Sequence, residues 1–186
     1  MTRLGVSTLK TLLNEQQVQE GVIRMAARIN THYGHQPLTI IGVMTGSVVL
    51  LADLIRQLTM PLKVGVVQAR SYRGTATKPG NLSLNTDFLP SIAGQHVLLI
   101  DDIFDTGNTL LELVSHFDTL TPLSIRSAVL LRKLGRQEVR IQPDFVAFEI
   151  PDEFVVGYGL DYGDEYRNLP YVAAMEPADL ATGTGS

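Results

Sequence analysis

The chain has 186 residues, which suits one α/β domain or one domain with a small attachment. With 45% hydrophobic and 18% charged residues, it has the composition of an ordinary globular protein that can bury a core. A formal net charge of -4 does not favour broad nucleic-acid binding, which usually shows as a basic surface, and the absence of cysteine excludes disulfides, thiolate metal sites and a thiolate nucleophile.

The spacing of apolar residues predicts strands that alternate with helices. The segment Met1 to Lys10 lacks the long apolar core of a signal peptide. The apolar run from Leu38 to Ile55 is interrupted by polar residues, which argues against a membrane span, and we expect a cytoplasmic protein without a membrane partner. The pattern predicts helices over 18–29, 48–58 and 108–120, and strands over 38–43, 62–69, 97–100, 124–131 and 145–150. The first helix would begin at a capping box formed by Asn14 and Gln17, and the second would carry Asp53 and Arg56 outward. This order implies a parallel sheet with helices on both faces.

Two segments stand outside this alternation. The connection over 71–95 is long for a compact domain and contains a cluster of glycine and proline, so we expect a lid over a functional site. Its apolar residues Leu82, Leu84 and Phe88 allow a short hairpin in the same segment. The tail over 176–186 is small, polar and rich in glycine, and we expect it to be mobile.

Carboxylates follow the strand predicted over 97–100. Asp101 and Asp102 end this strand, and Asp105 comes three residues later. Ligands of open parallel sheets bind just beyond the carboxyl ends of the strands. Carboxylates at such a place accept hydrogen bonds from sugar hydroxyls, or reach a magnesium ion through water. An acidic turn that caps a helix is the alternative, and it would suffice to explain Asp105 alone.

The turn after the acids has the features of an anion cradle. The first backbone N–H groups of the predicted helix have no partner within it, and Gly107 lets the backbone approach a ligand. Thr106 and Thr109 add hydroxyl donors. The complete pattern of strand, paired acids and Asp-Thr-Gly-Asn-Thr therefore favours a site for a phosphate monoester over a simple capped turn.

This stretch resembles the phosphoribosyl pyrophosphate motif of the type I phosphoribosyltransferases. The resemblance implies that Asp101 and Asp102 hold the ribose hydroxyls, and that the 5-phosphate binds the loop formed by Asp105, Thr106, Gly107, Asn108 and Thr109. It also implies a central parallel sheet flanked by helices, with a core over about 36–150 and a small hood from 151–175 to which the N-terminal segment can contribute. The motif leaves the acceptor base open.

Four further segments resemble the hypoxanthine-guanine phosphoribosyltransferase family. They are the family's pyrophosphate loop at Gly42 to Leu54, its closing loop at Ser71 to Gly80, the strand end with its purine-contacting lysine at Leu130 to Gly135, and its C-terminal segment at Phe148 to Val172. The resemblance covers residues 18–172. It implies an enzyme of purine salvage that joins hypoxanthine or guanine to phosphoribosyl pyrophosphate, with Mg2+ as cofactor, in a homodimer or homotetramer.

The resemblance also implies roles for single residues. Lys133 would donate to the oxygen at position 6 of the purine, an acceptor that adenine lacks. Asp105 would manage the purine proton at nitrogen 7, either as a general base or as a stabilising charge. Phe154 would stack on the base, and the Val155 backbone and Asp161 would contact its edge. Asp161 would also hold a magnesium ion, with Asp101 and Asp102 acting through ribose or water. The residues that would bind pyrophosphate are Thr45, Gly46, Ser71, Tyr72 and Arg167.

One residue departs from the family pattern, and two other functions stay open. Thr45 stands before Gly46, where the family usually has lysine or arginine, and the family's peptide bond at this step can be cis. Without the family resemblance, we would interpret Lys133 as part of a solvated basic cluster with Arg132 and Arg136. A phosphoribosyltransferase for another base fits the ribose-phosphate motif equally well. A phosphoribosyltransferase-fold regulator of pyrimidine genes that binds RNA predicts a basic surface, which the acidic balance does not favour.

Overall fold

The computed structural model describes residues 9–71 and 82–176. The strands in this part of the chain are β1 (Lys10–Leu13), β2 (Leu38–Met44), β3 (Leu62–Ser71), β4 (Leu82–Asn85), β5 (His96–Phe104), β6 (Ser124–Lys133), β7 (Phe145–Ile150), β8 (Val155–Val156) and β9 (Val172–Ala174). The helices are α1 (Glu15–Tyr33), α2 (Val48–Ile55) and α3 (Asn108–Asp118). The central part of the expected lid, including Tyr72, and residues 177–186 of the expected tail lie outside the described residues.

The first helix begins at the predicted capping box. The Asn14 side chain accepts a hydrogen bond from the Gln17 amide at 2.9 Å, and the Gln17 side chain accepts one from the Asn14 amide at 2.9 Å. This satisfies two backbone donors that the first turn leaves unpaired. The helix extends beyond the predicted range of 18–29 at both ends, and its apolar stripe, which includes Val18, Val22 and Ile29, is buried.

The main sheet confirms the predicted α/β architecture. Its order is β4-β3-β2-β5-β6-β7, and all neighbours are parallel except β4, which runs antiparallel to β3. Of the residues that allowed a hairpin within 71–95, Leu82 and Leu84 lie in β4, which pairs with β3 rather than within that segment, and Phe88 lies outside the strands. Alternate residues of β5 enter two separate cores: Leu98 and Ile100 pack with α1 and α2, whereas Val97 and Leu99 pack with α3. Burial of both faces explains why this strand has a continuous apolar sequence.

The strand order defines where a ligand can bind. From β2 the chain moves outward to β3 on one side, whereas β5 lies beside β2 on the other side. The loops that follow β2 and β5 therefore leave the sheet in different directions and open a crevice between them. Ligands of doubly wound sheets bind at such a switch point.

The central strand β5 is longer than predicted. We expected it to end at the acid pair, but it continues through Asp101 and Asp102 to Phe104. Pairing with β2 ends at Ile100, whereas pairing with β6 continues to Phe104. The acids therefore lie on strand backbone that has a free edge toward the crevice.

Two helices end earlier than predicted. Helix α2 ends at Ile55 rather than residue 58, and the Gln57 amide then bonds to the Leu54 carbonyl. Helix α3 ends at Asp118 rather than residue 120, and the Leu120 amide bonds to Phe117. Bonds to the third preceding residue tighten the final turns and stop the helices.

A second, smaller sheet of three antiparallel strands joins the two ends of the chain in the order β1-β9-β8. An ion pair between Lys10 and Glu153, with 3.0 Å between Nζ and Oε1, links the N-terminal strand to the segment before β8. None of the helices in the described residues is long and apolar enough to cross a membrane.

Candidate active site

The crevice between the loops after β2 and β5 contains a cavity of about 270 Å³. Its walls include most of the residues that the sequence assigns to ribose and phosphate, together with the glycine of the pyrophosphate loop: Gly46, Asp101, Asp102, Asp105, Thr106, Gly107 and Thr109. Thr45 and Asn108, assigned to the same two loops, are both exposed, and neither lines the cavity. The residues assigned to the base, the metal and pyrophosphate also lie outside its lining: Lys133, Phe154, Val155, Asp161 and Arg167.

The acid pair is held by backbone hydrogen bonds. Asp101 Oδ1 accepts from the Asp102 amide at 3.0 Å, and Asp102 Oδ1 accepts from the Ile103 amide at 2.7 Å. Burial raises the pKa of Asp101 well above its usual range, and the charge of Asp102 raises it further. Burial also raises the pKa of Asp102, although the Ile103 amide and the charge of Arg167 oppose this shift. Two carboxylates kept this close in a buried place suit a ligand that brings hydroxyl donors or a cation.

The loop after β2 lies directly against these acids. A Cβ atom on Gly46 would overlap Asp102 Oδ2, so only glycine lets the loop lie this close. A Cβ atom on Gly159 would overlap the carbonyl oxygen of Gly46. The Met44–Thr45 peptide bond is cis, which the family resemblance allowed at this step. The loop after β2 thus lies against both the acid pair and the C-terminal segment.

The loop from Asp105 to Asn108, here called the phosphate loop, leads into α3. Gly107 has a φ of 88°, which other residues adopt only with strain, and it precedes the first helical residue, Asn108. The Leu111 amide is the first that bonds to a carbonyl of this loop, at 3.0 Å to Gly107, whereas the Asn108 amide reaches only the Thr106 hydroxyl, at 3.4 Å. The start of this helix therefore has backbone donors that can serve an anion.

Asp105 is part of a cluster of four charges at the edge of the cavity. Arg136 Nε donates to Asp105 Oδ1 at 3.0 Å, and Lys133 Nζ lies 3.7 Å from Asp105 Oδ2. Asp152 Oδ1 lies 3.4 Å from Lys133 Nζ and 3.7 Å from Arg136 Nε. The Lys133 side chain is only 11% exposed, so this lysine does not belong to a solvated basic cluster. Its amine instead reaches the carboxylate proposed to manage the purine proton.

Four of the residues assigned to the base, the metal and pyrophosphate come from the C-terminal segment. Val155 is buried in β8, and Phe154 is partly exposed with its ring edge-on to Tyr162 at 5.6 Å between centroids. Arg167 donates from Nη1 to the Gly159 carbonyl at 2.8 Å and pairs with Asp161 at 2.8 Å between Nη2 and Oδ1. Ser71 ends β3, and its side chain is not described.

The carboxylates assigned to magnesium are Asp101, Asp102 and Asp161. Within residues 9–71 and 82–176, no three histidine, aspartate or glutamate side chains lie close enough together to hold a metal ion by themselves. Asp101, Asp102 and Asp161 therefore do not form a metal site from protein ligands alone. Magnesium commonly takes one or two carboxylates and completes its shell with water and substrate phosphates, so these residues still fit the ion in the presence of substrate.

Three contacts at the site were not found from the sequence. Asp53 was expected to face outward, but its Oδ2 accepts a hydrogen bond from the buried Tyr158 hydroxyl at 2.6 Å, and this ties α2 to the C-terminal segment. Arg136 and Asp152, the partners of Asp105 and Lys133, were also missed. The basic cluster around Lys133 gave a signal for Arg136, but no sequence spacing relates Arg136 to Asp105, 31 residues away.

A parallel sheet that holds an acid pair and a phosphate loop at its switch point defines the chain as a type I phosphoribosyltransferase. A family model described as a phosphoribosyl transferase domain matches residues 8–163. The chain belongs to the hypoxanthine-guanine phosphoribosyltransferase family.

Several relatives carry this family name. The hypoxanthine-guanine phosphoribosyltransferase of Bacillus subtilis is 37% identical over 91% of this chain and 94% of its own length. That of Aquifex aeolicus is 37% identical over 95% of this chain and 99% of its own length. Among solved structures, a hypoxanthine-guanine phosphoribosyltransferase from Bacillus anthracis is 37% identical with a TM-score of 0.86, covering 90% of this chain and 99% of that one. A hypoxanthine phosphoribosyltransferase from Trypanosoma cruzi in complex with the product IMP is 32% identical with a TM-score of 0.90 and covers 100% of both chains.

Proposed function

We propose that this chain is an enzyme of purine salvage that transfers 5-phosphoribose from phosphoribosyl pyrophosphate to nitrogen 9 of hypoxanthine or guanine. The products are IMP or GMP and pyrophosphate. The observation that carries the proposal is the shared cavity of the acid pair, the phosphate loop and Gly46, with Lys133 and Asp105 side by side at its edge. The names of the relatives support the same reaction.

The proposed substrate position follows the order of groups along the crevice. The 5-phosphate would bind the N–H groups and hydroxyls of the phosphate loop, and the ribose hydroxyls would donate to Asp101 and Asp102. Pyrophosphate would lie between the loop at Gly46 and the guanidinium of Arg167. Asp161, together with Asp101 and Asp102 through ribose hydroxyls or water, would hold a magnesium ion that neutralises the leaving group as the glycosidic bond breaks.

The base would lie against the C-terminal segment. Phe154 would stack on the purine, which is worth about 1 kcal/mol beyond the buried area. The Val155 backbone and Asp161 would contact the base edge. Lys133 would donate to the oxygen at position 6, and Asp105 would receive or stabilise the proton at nitrogen 7. Because both side chains already lie 3.7 Å apart, a single bound base can meet both.

Closure and assembly complete the proposal. The developing oxocarbenium ion must be protected from water, so the segment from Ser71 to Gly80 would close over the site, with Ser71 and Tyr72 toward pyrophosphate. We further propose a cytoplasmic enzyme, because its phosphorylated substrates do not cross membranes unaided. A homodimer or homotetramer is the proposed assembly, as the family resemblance implies.

Base specificity is the direct test. Hypoxanthine and guanine should be turned over with phosphoribosyl pyrophosphate and magnesium, whereas adenine should not, because a lysine offers only donors to position 6. A site built around one hydrogen-bonding group rejects the wrong partner by roughly 10⁴-fold in kcat/KM. A base-by-base activity screen measures this ratio. Efficient turnover of adenine, or of a pyrimidine alone, would favour a phosphoribosyltransferase for another base, and RNA binding without transfer would favour the regulator.

Thr45 allows a test of the pyrophosphate loop. Thr45→Lys should tighten inhibition by pyrophosphate, because a charge-assisted bond to this anion is worth about 1.5–3 kcal/mol. The inhibition constants of wild type and variant provide the measurement. Thr119→Lys is the control, because it adds the same charge at the C-terminal end of α3, the end opposite the phosphate loop. Equal constants for Thr45→Lys and wild type would mean that the exposed side chain at position 45 never meets pyrophosphate.

A further inference from the structure

The connection that follows β6 lies along the phosphate loop residue by residue. We call residues 136–139 the buttress. Each residue of the phosphate loop contacts one buttress residue: Asp105 accepts from Arg136 Nε at 3.0 Å, the Thr106 carbonyl accepts from the Glu138 amide at 2.9 Å, a Cβ on Gly107 would lie 2.5 Å from Val139 Cγ2, and Asn108 Nδ2 donates to Glu138 Oε2 at 3.1 Å. A surface connection without a role would not be expected to match four successive residues in this way.

The buttress is itself held in shape. Gln137 Nε2 donates to the Val139 carbonyl at 2.6 Å and to the Ile141 carbonyl at 3.3 Å. Its Oε1 accepts from Arg132 Nη2 at 3.4 Å, at the end of β6. Gln137 therefore links the connection to the sheet and to itself, so the contacts to the phosphate loop come from an ordered segment.

Glu138 determines how the polar groups of the phosphate loop point. An ionised carboxylate only accepts hydrogen bonds, so the Asn108 side chain must present its nitrogen to Glu138. The same nitrogen donates to Thr106 Oγ1 at 3.1 Å, and the Asn108 amide reaches this oxygen at 3.4 Å. With both lone pairs of Oγ1 engaged, the hydroxyl hydrogen of Thr106 is free to donate into the cavity that this residue lines.

We propose that Glu138 is a positioning residue for the 5-phosphate: through Asn108 it fixes the Thr106 hydroxyl as a donor to that group. The inference rests on the proposed function, because it requires a phosphate in the loop. The proposal also explains why the Glu138 carboxylate lies beside the site proposed for the 5-phosphate dianion, although the two negative charges would repel each other.

The charge and the positioning role of Glu138 predict opposite results for one substitution. If Glu138 acted only through its charge, Glu138→Ala would tighten phosphate binding. If it positions Thr106, the same change should weaken binding about fivefold to tenfold, as expected for the loss of one well-placed hydrogen bond. Glu138→Gln removes the charge but keeps an acceptor for Asn108, so it should bind at least as tightly as wild type.

Titration of the full chain with ribose 5-phosphate, followed by calorimetry, measures this binding without catalysis. Kinetics should show a raised KM for phosphoribosyl pyrophosphate with kcat within about twofold, because the contact is made equally in the ground state and the transition state. Glu20→Ala is the matched control, since Glu20 is an exposed glutamate that accepts from the Gln16 side chain at 2.9 Å on α1. Thermal unfolding of each variant verifies that it is folded. Because Glu138 is exposed, its substitution should change the melting temperature little.

The background variant Asn108→Ala gives a second readout. Glu138→Ala should have no further effect in it, because Asn108 carries the coupling. Unchanged or tighter binding by Glu138→Ala, a Glu138→Gln variant as weak as Glu138→Ala, or an undiminished effect in the Asn108→Ala background would each overturn the inference. Failure of the proposed function looks different: wild type itself would then bind no ribose 5-phosphate and transfer no phosphoribose, and the inference would fall with it.

Discussion

Replacing Asp105 by alanine should lower kcat about 100-fold or more while the KM for phosphoribosyl pyrophosphate changes only a few-fold. In the proposed reaction, the charge of Asp105 would matter most when the purine proton moves, which is in the transition state rather than in the bound ground state. The structure supports this assignment, because Asp105 lines the cavity while Arg136 and Lys133 flank its two carboxylate oxygens. Steady-state kinetics with hypoxanthine, at saturating and at limiting phosphoribosyl pyrophosphate, separate kcat from this KM.

Two companion variants identify the origin of the loss. Asp105→Asn keeps the size and one acceptor oxygen but removes the charge, so it should lose nearly as much turnover as the alanine variant. Asp152→Ala removes the other carboxylate of the same four-charge cluster, which does not line the cavity, and should cost much less. Near-normal turnover by Asp105→Ala would remove this residue from the mechanism. Similar losses in Asp105→Ala and Asp152→Ala would assign the effect to the cluster as a whole.

The parts of the fold that depend on local pattern were predictable from sequence. The capping box at Asn14 was confirmed, as was the alternation of strands and helices that gives the parallel sheet. Both follow from residues close together in sequence, namely a side chain three positions from its cap and apolar runs bounded by polar turns. The motif from Asp101 to Thr109 was equally local, and its expected place beyond a central strand follows from the general rule for parallel sheets.

The end of β5 shows what local pattern misses. Nothing in the sequence after Ile100 distinguishes strand from loop, because the extension to Phe104 depends on β6 continuing beside it after β2 has ended. Contacts between distant side chains at the site are not visible in the sequence for the same reason. Asp53 lies 105 residues from Tyr158, and Asp105 lies 31 residues from Arg136. Such pairs form only when distant elements pack, so a single sequence shows the charges but not which ones meet.

The C-terminal glycines are an intermediate case. The sequence marks Gly157, Gly159 and Gly163 as points of irregular backbone, and all three have positive φ. It does not distinguish a glycine that only makes a turn from one that lies against the active site. The structure separates them: a Cβ on Gly163 would meet nothing within 4 Å, whereas one on Gly159 would overlap the Gly46 carbonyl oxygen.

Gly159→Ala should therefore damage the site far more than Gly163→Ala. Both substitutions place alanine at a positive φ, 101° and 62°, which costs about 1–2 kcal/mol of stability. Only the change at 159 also forces Gly46 aside, and Gly46 lies against Asp102, so the displacement reaches the ribose acids. We expect the KM for phosphoribosyl pyrophosphate to rise at least about tenfold in Gly159→Ala, which corresponds to roughly 1.4 kcal/mol of lost binding.

Gly163→Ala provides the control for backbone strain alone. Its KM for phosphoribosyl pyrophosphate should stay near that of wild type, although thermal unfolding should begin a few degrees lower in both variants. The difference in KM between the two variants then measures how strongly contact with the C-terminal segment positions the pyrophosphate loop. Equal KM values would mean that the loop after β2 holds its place against Asp102 without Gly159, and that the Tyr158–Asp53 hydrogen bond or the sheet alone fixes this side of the site.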